Sequence, residues 1–391
     1  MSYVGLSDTN NLFQVLGTLP SLLHLDLSYC KINNSLIPRY VFRNMTSLVY
    51  IDLSNNELLD PIPVSFQNMN SIESLYLSSN NFTLVPSWFC NFEKLTHVDL
   101  SSNGFHGSIP EVFRNMTFIE SLSLSENSLT SIPSWLVELK RLVYLELGQN
   151  QLTLTKYFLS SILTNMCRLK ELSLSRNKLQ GELMGHFELS GCITYDLQVL
   201  SLGYNNINGR LPTWLGQLDN LKYLDFGSNF FHGSVPLTIG KLSKLRELDI
   251  SNNAFDGVLL SNIGQLVNLT HLDLSSNKFD GSIPQSLGKL GKLCSLDLSN
   301  NSFNGLVPES LGQLINLTRL DISSNKFDGS VPQSLWKLSN LYYLDLSKNS
   351  FNGIIPKSIG QLVNLNYLNL SSNKLDGSSS KPWENCKSIF S

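Results

Sequence analysis

The stretch Leu269–Lys292, LTHLDLSSNKFDGSIPQSLGKLGK, is repeated with small changes on both sides of itself. Its pattern is L-x-x-L-x-L-x-x-N-x-L, followed by G-x-I-P and L-G-x-L. Repetition of one such unit at a fixed period of about 20 to 29 residues indicates a solenoid, in which each coil packs only on its neighbours. The second strand leucine recurs every 24 residues at Leu202, Phe226, Ile250, Leu274, Leu298, Ile322, Leu346 and Leu370.

The same pattern extends towards the N-terminus with variable spacing. The leucine recurs there at intervals of 23 to 28 residues, at Leu27, Leu53, Leu77, Leu100, Leu124, Leu147, Leu174 and Leu202. We therefore predict an α/β solenoid, a leucine-rich-repeat superhelix of about fifteen 23–28-residue coils with a parallel inner β-sheet. It would form one continuous domain with a partial repeat at 1–6, irregular repeats at 7–207, regular 24-residue repeats at 208–377 and a degenerate tail at 378–391.

The strand part of each repeat alternates with period two. Its leucines should point into the coil and the intervening residues should face out. An asparagine near the end of each repeat core can donate two hydrogen bonds and accept others, so we expect a buried ladder that bonds the backbone of its own turn and the next. Cys30 takes this slot in the first full repeat, and its other members are Asn56, Asn80, Asn103, Asn127, Asn150, Asn177, Asn205, Asn229, Asn253, Asn277, Asn301, Asn325, Asn349 and Asn373.

Composition excludes several classes of function. Hydrophobic residues make up 42% of the chain, charged residues only 15%, and the formal net charge is -3. Without a Lys/Arg stripe, nucleic acid is not an expected partner. The chain contains no apolar run of membrane-spanning length and no basic-then-apolar leader, so we expect neither a span nor a signal peptide within it. The cysteine spacing does not fit a metal site, and no cofactor is expected.

The G-x-I-P extension resembles the plant-specific subclass of extracellular leucine-rich repeats. This subclass occurs in receptor kinases, receptor-like proteins and polygalacturonase-inhibiting proteins. The opening segment Met1–Cys30 and the Cys167–Cys192 region look like the receptor-like proteins of plant defence, including the fungal-xylanase receptor type. The motif places Pro at 110, 212, 236, 284, 308, 332 and 356, and Gly at 107, 209, 233, 281, 305, 329 and 353.

The resemblance implies a cell-surface glycoprotein without a kinase, at the extracellular face of the plasma membrane or in the apoplast. Such proteins have an N-terminal cysteine cap, an island interrupting the repeats and a C-terminal membrane span. None of these three features is found in this sequence. A fragment of an ectodomain would account for their absence, and Cys386 would then have lost its partner.

Eight N-x-S/T sequons occur, and seven of them are predicted glycosylation sites. The eighth, Asn369, should point into the sheet face. Cys167 and Cys192 flank one repeat, and we predict a disulfide between adjacent coils there, with two buried thiols as the alternative. The seven predicted glycosylation sites are Asn33, Asn44, Asn81, Asn115, Asn268, Asn300 and Asn316.

A column of aspartates invites comparison with glycosidases, whose retaining members place two carboxyl groups about 5 Å apart. Those two carboxylates need different environments. The aspartates here should be equivalent and exposed, and the sequence has no Ser-His-Asp order, HExxH or phosphate loop, so we predict a protein that is not an enzyme. The column consists of Asp225, Asp249, Asp273, Asp297, Asp321 and Asp345.

A ligand is expected where the outward-facing strand residues depart from this consensus. Aromatic residues with a few charges are typical of protein and peptide contact surfaces. Relaxed drift of the sequence is the alternative explanation. The predicted ligand-binding residues on the concave face are Tyr76, Tyr144, Glu146, Glu171, Arg176, Tyr204 and Tyr223.

The sequence thus predicts a ligand-recognition ectodomain that binds a peptide or microbial protein on its concave or lateral face. It would signal through a partner or co-receptor kinase. One alternative is an enzyme inhibitor like the polygalacturonase-inhibiting proteins, which are shorter, at about ten repeats. Another is a truncated or decoy receptor with no ligand of its own.

Overall fold

The computed structural model describes residues 12–37, 41–153, 158–183 and 192–376. The predicted partial repeat at 1–6, the tail at 378–391 and Cys386 lie outside the described residues. The described residues form two compact units. The first contains those of 12–180 and 192–205, and the second contains those of 181–183 and 206–376.

Three-residue strands form the inner sheet, and within each unit every strand pairs in parallel with the next, which confirms the predicted solenoid. The central residue of each strand is buried in nearly every turn, and pairing keeps these residues opposite one another, as in Leu272↔Leu296↔Leu320. The first unit contains His24–Asp26, Tyr50–Asp52, Ser74–Tyr76, His97–Asp99, Ser121–Ser123, Tyr144–Glu146, Glu171–Ser173 and Val199–Ser201; the second contains Tyr223–Asp225, Glu247–Asp249, His271–Asp273, Ser295–Asp297, Arg319–Asp321, Tyr343–Asp345 and Tyr367–Asn369.

Short 3-10 helices, with two α-helices, form the opposite side of the turns. Nine of the thirteen 3-10 helices among the described residues directly follow a proline, as Gln285–Lys289 follows Pro284. Proline has no N–H, and it suits a helix start because that N–H would lack a partner within the helix. The α-helices are Leu12–Leu16 and Phe158–Asn165; the 3-10 helices are Asn34–Leu36, Val41–Asn44, Val64–Asn68, Ser87–Asn91, Glu111–Asn115, Ser134–Glu138, Thr213–Gln217, Leu237–Lys241, Ser261–Gln265, Gln285–Lys289, Glu309–Gln313, Leu335–Lys337 and Lys357–Gln361.

A second set of strands lies on the flank of the turns, which the sequence pattern did not predict as paired sheet. The motif glycine ends or follows many of these strands in a left-handed conformation, for example Gly281 with φ +68°, as its position in the motif led us to expect. The flank strands are His106–Ser108, Ser128–Ser131, Gln180–Glu182, Asn206–Gly209, Phe230–Gly233, Ala254–Val258, Lys278–Asp280, Asn304–Gly305, Lys326–Phe327, Asn352–Ile354 and Lys374–Asp376.

The asparagine ladder is present, and it binds the preceding turn rather than the following one. In Asn277, Nδ2 donates to the carbonyl oxygens of Leu274 (3.2 Å) and Ser275 (3.1 Å) in its own turn. It also donates to Ile250 O (3.0 Å), while Oδ1 accepts from Phe255 N (3.0 Å) in the turn before. Each ladder residue therefore satisfies backbone groups of two coils at once, and leaving such groups unpaired in the interior would be costly.

Aromatic rings stack along the core of the second unit. The rings of Phe279, Phe303 and Phe327 are nearly parallel, with centroids 5.9 and 6.1 Å apart. Each ring contacts the ring of the turn before and that of the turn after, so one continuous row of aromatic side chains fills the core of this unit.

A disulfide joins Cys167 and Cys192, with Cα atoms 5.5 Å apart. It links the end of helix Phe158–Asn165 to the segment that leads into strand Val199–Ser201. Among the described residues, the side chain of Cys30 is buried, that of Cys90 is exposed and that of Cys294 is partly exposed.

Candidate ligand-binding site

The exposed side of the inner sheet is called the strand face here. It consists of the first and third residues of each inner strand, because the second residue points into the core. In the second unit the third residues are the six aspartates from Asp225 to Asp345, followed by Asn369. The first residues are more varied, and they are Tyr223, Glu247, His271, Ser295, Arg319, Tyr343 and Tyr367.

A cavity of about 390 Å³ opens on the strand face of the second unit. It extends across five consecutive strands. A volume of this size falls in the lower part of the range of small-ligand sites, which is about 300 to 1,000 Å³. The polar side chains that line it are Tyr223, Asp225, Glu247, Asp249, His271, Asp273, Ser295, Asp297 and Arg319.

The aspartates of this face are less exposed than the sequence led us to expect. Asp321 and Asp345 are each only 6% exposed. The cause is a local hydrogen bond, since Oδ1 of Asp273 accepts from the backbone N–H of Ser275 at 2.9 Å. The other aspartates of the column accept from the backbone N–H two residues further on in the same way. This bond holds each carboxylate against its own turn.

The aspartates are also not equivalent. Burial raises the pKa of Asp273 to about 6, and the neighbouring Asp297 and Asp249 add to that rise. Burial also raises the pKa of Asp321. Strand pairing places Asp273 directly between Asp249 and Asp297, so like charges face it from both sides.

Arg319 closes one end of the cavity. Its Nη2 lies 3.3 Å from Oδ2 of both Asp297 and Asp321, and its guanidinium carbon lies 3.8 Å from the ring centroid of Tyr343. The Tyr343 ring stacks on Tyr367 with centroids 4.3 Å apart. Arg319 is thus held between two carboxylates and an aromatic ring, an arrangement that favours a fixed guanidinium.

His271 and Glu247 lie on adjacent strands in the middle part of the cavity. Nδ1 of His271 lies 3.6 Å from Oε1 of Glu247 and 3.0 Å from Oγ1 of Thr270. Both charged side chains are about half exposed, so this contact is weak in water.

Five of the six predicted ligand-binding residues of the first unit fall into two groups. Tyr144 and Glu171 pair across adjacent strands, with Glu146 beside them as the third residue of its strand. Burial, and secondarily Glu146, raise the pKa of Glu171. Arg176 and Tyr204 lie in the turns that follow the strands, where the guanidinium is 4.1 Å from the tyrosine ring centroid.

Tyr76 and Tyr223 lie elsewhere. Tyr76 packs against Tyr50, whose ring in turn packs against His24, with centroids 5.3 and 5.6 Å apart. Tyr223 belongs to the second unit, where it lines the cavity. His24, Tyr50 and the cavity residues around Ser295 were not among the predicted ligand-binding residues, because in each repeat they match or nearly match the common pattern.

The predicted glycosylation sites lie at or near the surface. Asn44, Asn81, Asn115, Asn300 and Asn316 are exposed, whereas Asn33 and Asn268 are partly buried. Nδ2 of Asn268 and of Asn316 each donates one hydrogen bond of 2.7 Å to a carbonyl oxygen of the preceding turn. An amide nitrogen has two hydrogens, so the second remains for a glycan bond.

No group of three or more His, Cys, Asp or Glu side chains in the described part of the chain has an arrangement that could hold a metal ion. No helix there is long and apolar enough to cross a membrane.

Replacing Asp273 by Asn should stabilise the protein at neutral pH. An aspartate whose pKa is raised from its usual value of about 4 binds its proton more tightly in the folded state, so its favourable contribution is present at low pH and is lost as the pH rises through about 6. Asn retains the acceptor for Ser275 N–H, as Asn369 does for Ser371 N–H in the last described strand. We expect a gain of about 1 kcal/mol in the free energy of unfolding at pH 7.5.

The same variant should show almost no gain at pH 4, where Asp273 is protonated in the wild-type protein. Urea denaturation at both pH values measures the difference. An equal gain at the two pH values would show that packing, rather than the charges of Asp249 and Asp297 beside Asp273, causes the effect.

Comparisons with known proteins agree with this architecture. A family model described as a leucine-rich repeat region matches residues 6–259 and 245–386. A comparison with curated protein sequences gives no match.

Solved structures similar to this chain include receptor ectodomains. A TDR receptor is 29% identical with a TM-score of 0.79, over 93% of this chain and 66% of its own. The plant peptide hormone receptor RGFR1, solved with RGF2, is 29% identical with a TM-score of 0.73, over 91% and 64%. The Arabidopsis receptor kinase HAESA, solved with the peptide hormone IDA and the co-receptor SERK1, is 30% identical with a TM-score of 0.69, over 93% and 72%.

This chain spans 64% to 72% of the length of those three structures, and just under two thirds of the first two. The family model, in contrast, covers nearly all of it. Its repeats, its inner parallel strands and its asparagine ladder agree with that match, and the chain belongs to the leucine-rich repeat family.

Proposed function

We propose that this chain is the ligand-recognition region of a plant cell-surface receptor-like protein of the defence type. It would bind a peptide or microbial protein on the strand face, at the extracellular face of the plasma membrane or in the apoplast. The observation that carries this proposal is the 390 Å³ cavity on the strand face of a chain similar to peptide-hormone receptor ectodomains.

The strand face suits an extended peptide because its backbone is already held in place. The asparagine ladder and the parallel pairing bond neighbouring turns, so the first and third strand residues stand at a regular spacing of about 4.8 Å. Binding then orders the ligand but needs little reorganisation of the protein, which favours affinity. A partner or co-receptor kinase would carry the signal, as SERK1 is solved together with HAESA and IDA.

We infer a binding role rather than catalysis for the aspartate column. One oxygen of each carboxylate is bonded to the backbone two residues on. Glycosidase chemistry instead needs one carboxyl group that donates a proton beside another that stays ionised, on either side of a sugar bond. Release of reducing sugars from plant or fungal wall polysaccharides by the purified chain would contradict this inference.

Glycosylation belongs to the same proposal, since a secreted chain with exposed sequons would acquire glycans. Asn44, Asn115, Asn268 and Asn316 occupy similar places just before a strand. A fall in mass when the chain, secreted from plant cells, is treated with glycosidase would support it, and an unchanged mass would contradict it.

Selection from a displayed random-peptide library on the immobilised chain tests peptide binding. We expect enriched peptides that bind in calorimetry with a dissociation constant in the micromolar range or below. Two sets of variants then locate the site: Tyr144→Ala with Tyr204→Ala in the first unit, and Asp249→Asn with Asp297→Asn in the second. If no sequence is enriched, peptide recognition by this chain is wrong.

The same purified protein tests the inhibitor alternative. Inhibition of a fungal polygalacturonase without peptide enrichment would favour an enzyme inhibitor over a receptor. Peptide enrichment without inhibition would favour the receptor.

A further inference from the structure

The first residues of the inner strands in the second unit leave a gap at Ser295. All seven of these strands are among the described residues, and six of the seven positions carry Tyr, Glu, His or Arg. Ser295 pairs with His271 on one side and with Arg319 on the other. Adjacent strands are about 4.8 Å apart, so the strands that carry His271 and Arg319 lie about 10 Å apart. Once the thickness of these two side chains is subtracted, the gap above Ser295 admits a single side chain.

Carboxylates form the wall of this gap. Ser295, Asp273 and Asp297 all line the 390 Å³ cavity, together with Asp249 and Glu247. The cavity therefore lies beside the gap, and a side chain entering past Ser295 reaches the third residues of two strands.

Only some of the carboxylates that line the cavity lie close to a cationic side chain. Arg319 bridges Asp297 and Asp321, and His271 lies near Glu247. Within the described residues, no cationic side chain lies within ion-pair distance of Asp249 or Asp273. A positive charge brought by a ligand would compensate these two carboxylates, and a negative charge would be repelled by them.

We propose that Ser295 opens a specificity subsite that admits one cationic side chain, lysine or arginine, of an extended peptide. The side chain passes between His271 and Arg319, and its charged end binds Asp273, where the neighbouring Asp249 adds negative charge. This subsite rests on the proposed peptide recognition and names the ligand chemistry of that site. With this subsite, the residues that select the ligand lie in repeats close to the consensus rather than in repeats that depart from it.

Filling the gap with tyrosine tests the subsite. Tyr223, Tyr343 and Tyr367 occupy the same strand position in the same unit, so Ser295→Tyr introduces a side chain that this face already accommodates. Ser121→Tyr is the matched control, since Ser121 is the first residue of a strand in the first unit, outside the cavity. Asp273→Asn removes the charge but keeps the bond to Ser275 N–H and leaves the gap open.

The probe is a displayed random-peptide library, selected on the immobilised full chain and on each variant. On the wild type and on Ser121→Tyr, we expect lysine or arginine to be enriched at one position of the selected peptides. A synthetic peptide from this pool should bind Ser295→Tyr at least about tenfold more weakly than the wild type, and Asp273→Asn about tenfold more weakly. Replacing its basic residue by norleucine should cause a similar loss on the wild type.

Peptides that are enriched without a basic residue, or that bind Ser295→Tyr as well as the wild type, overturn the subsite while peptide recognition stands. If nothing is enriched on the wild type, the proposed function itself fails and the subsite with it. Thermal midpoints of Ser295→Tyr and Asp273→Asn that are no lower than that of the wild type, at the pH of the binding experiment, confirm that a loss of binding is not a loss of fold.

Discussion

Asn325→Ala should lower the free energy of unfolding by about 3 kcal/mol. Asn325 is 9% exposed, and its Nδ2 donates to the carbonyl oxygens of Leu298 (2.9 Å) and Ser323 (3.0 Å), with a longer bond to Ile322 O (3.3 Å). Its Oδ1 accepts from Phe303 N at 3.0 Å. Alanine leaves these backbone groups of two turns unpaired inside the protein, and only water entering the small space could partly replace the amide.

Asn340→Ala provides the matched control. Asn340 lies on the exposed side of the same unit, and its Nδ2 donates a single 2.8 Å bond to Ile315 O. Water can take its place there, so the loss should stay below about 1 kcal/mol. Urea denaturation of both variants gives the comparison. Similar losses would mean that the interior ladder contributes no more than an exposed amide.

Much of the fold could be predicted from the sequence because each repeat contains the residue pattern of its own strand, core and ladder. The spacing of Leu272, Leu274 and Asn277 predicts a strand, its buried side and the ladder residue, and the structure confirms all three. Neighbouring coils then have only one way to stack, so repetition supplies the long-range contacts that a sequence usually conceals.

The sequence did not predict that the asparagine ladder bonds to the preceding turn, nor the backbone conformation beside each asparagine. The residue before the ladder asparagine has a left-handed conformation in nearly every turn, as Ser276 does with φ +52° and Tyr204 with φ +55°. Non-glycine residues seldom adopt this conformation, and no pattern in residues as different as serine and tyrosine signals it. It arises because the bonds of the asparagine to the preceding turn fix the backbone around it.

The cavity could not be predicted for a different reason. Departures from the consensus pointed to Tyr144, Glu146, Glu171, Arg176 and Tyr204 in the first unit. A gap depends instead on which side chains lie on the neighbouring strands. Serine is an ordinary residue at this strand position, as Ser74 and Ser121 show. Ser295 leaves a gap only because His271 and Arg319 flank it. Whether a small residue makes a cavity is a property of three adjacent turns together, which single repeats do not show.

Phe303→Ala should cause the other large loss, about 4 kcal/mol of the free energy of unfolding. Phe303 is fully buried, between the rings of Phe279 and Phe327 at 5.9 and 6.1 Å. The rings are fixed by the spacing of the turns, so neighbouring side chains cannot collapse into the space without disturbing the ladder bond from Phe303 N to Asn325. A cavity that cannot collapse lowers the free energy of unfolding most, because the side chains that line it lose contacts that they cannot regain.

Phe303→Leu distinguishes the effect of ring stacking from that of side-chain volume, because leucine removes the ring but keeps much of the volume. Leucine fills the corresponding place in the first unit at Leu129, Leu152 and Leu179, where it is fully buried too. The turn therefore accommodates a branched aliphatic side chain, and we expect this variant to lose only about 1 to 1.5 kcal/mol. Urea denaturation of the two variants beside the wild type gives both values. If the leucine variant loses as much as the alanine variant, stacking of the rings rather than filled volume holds these turns together.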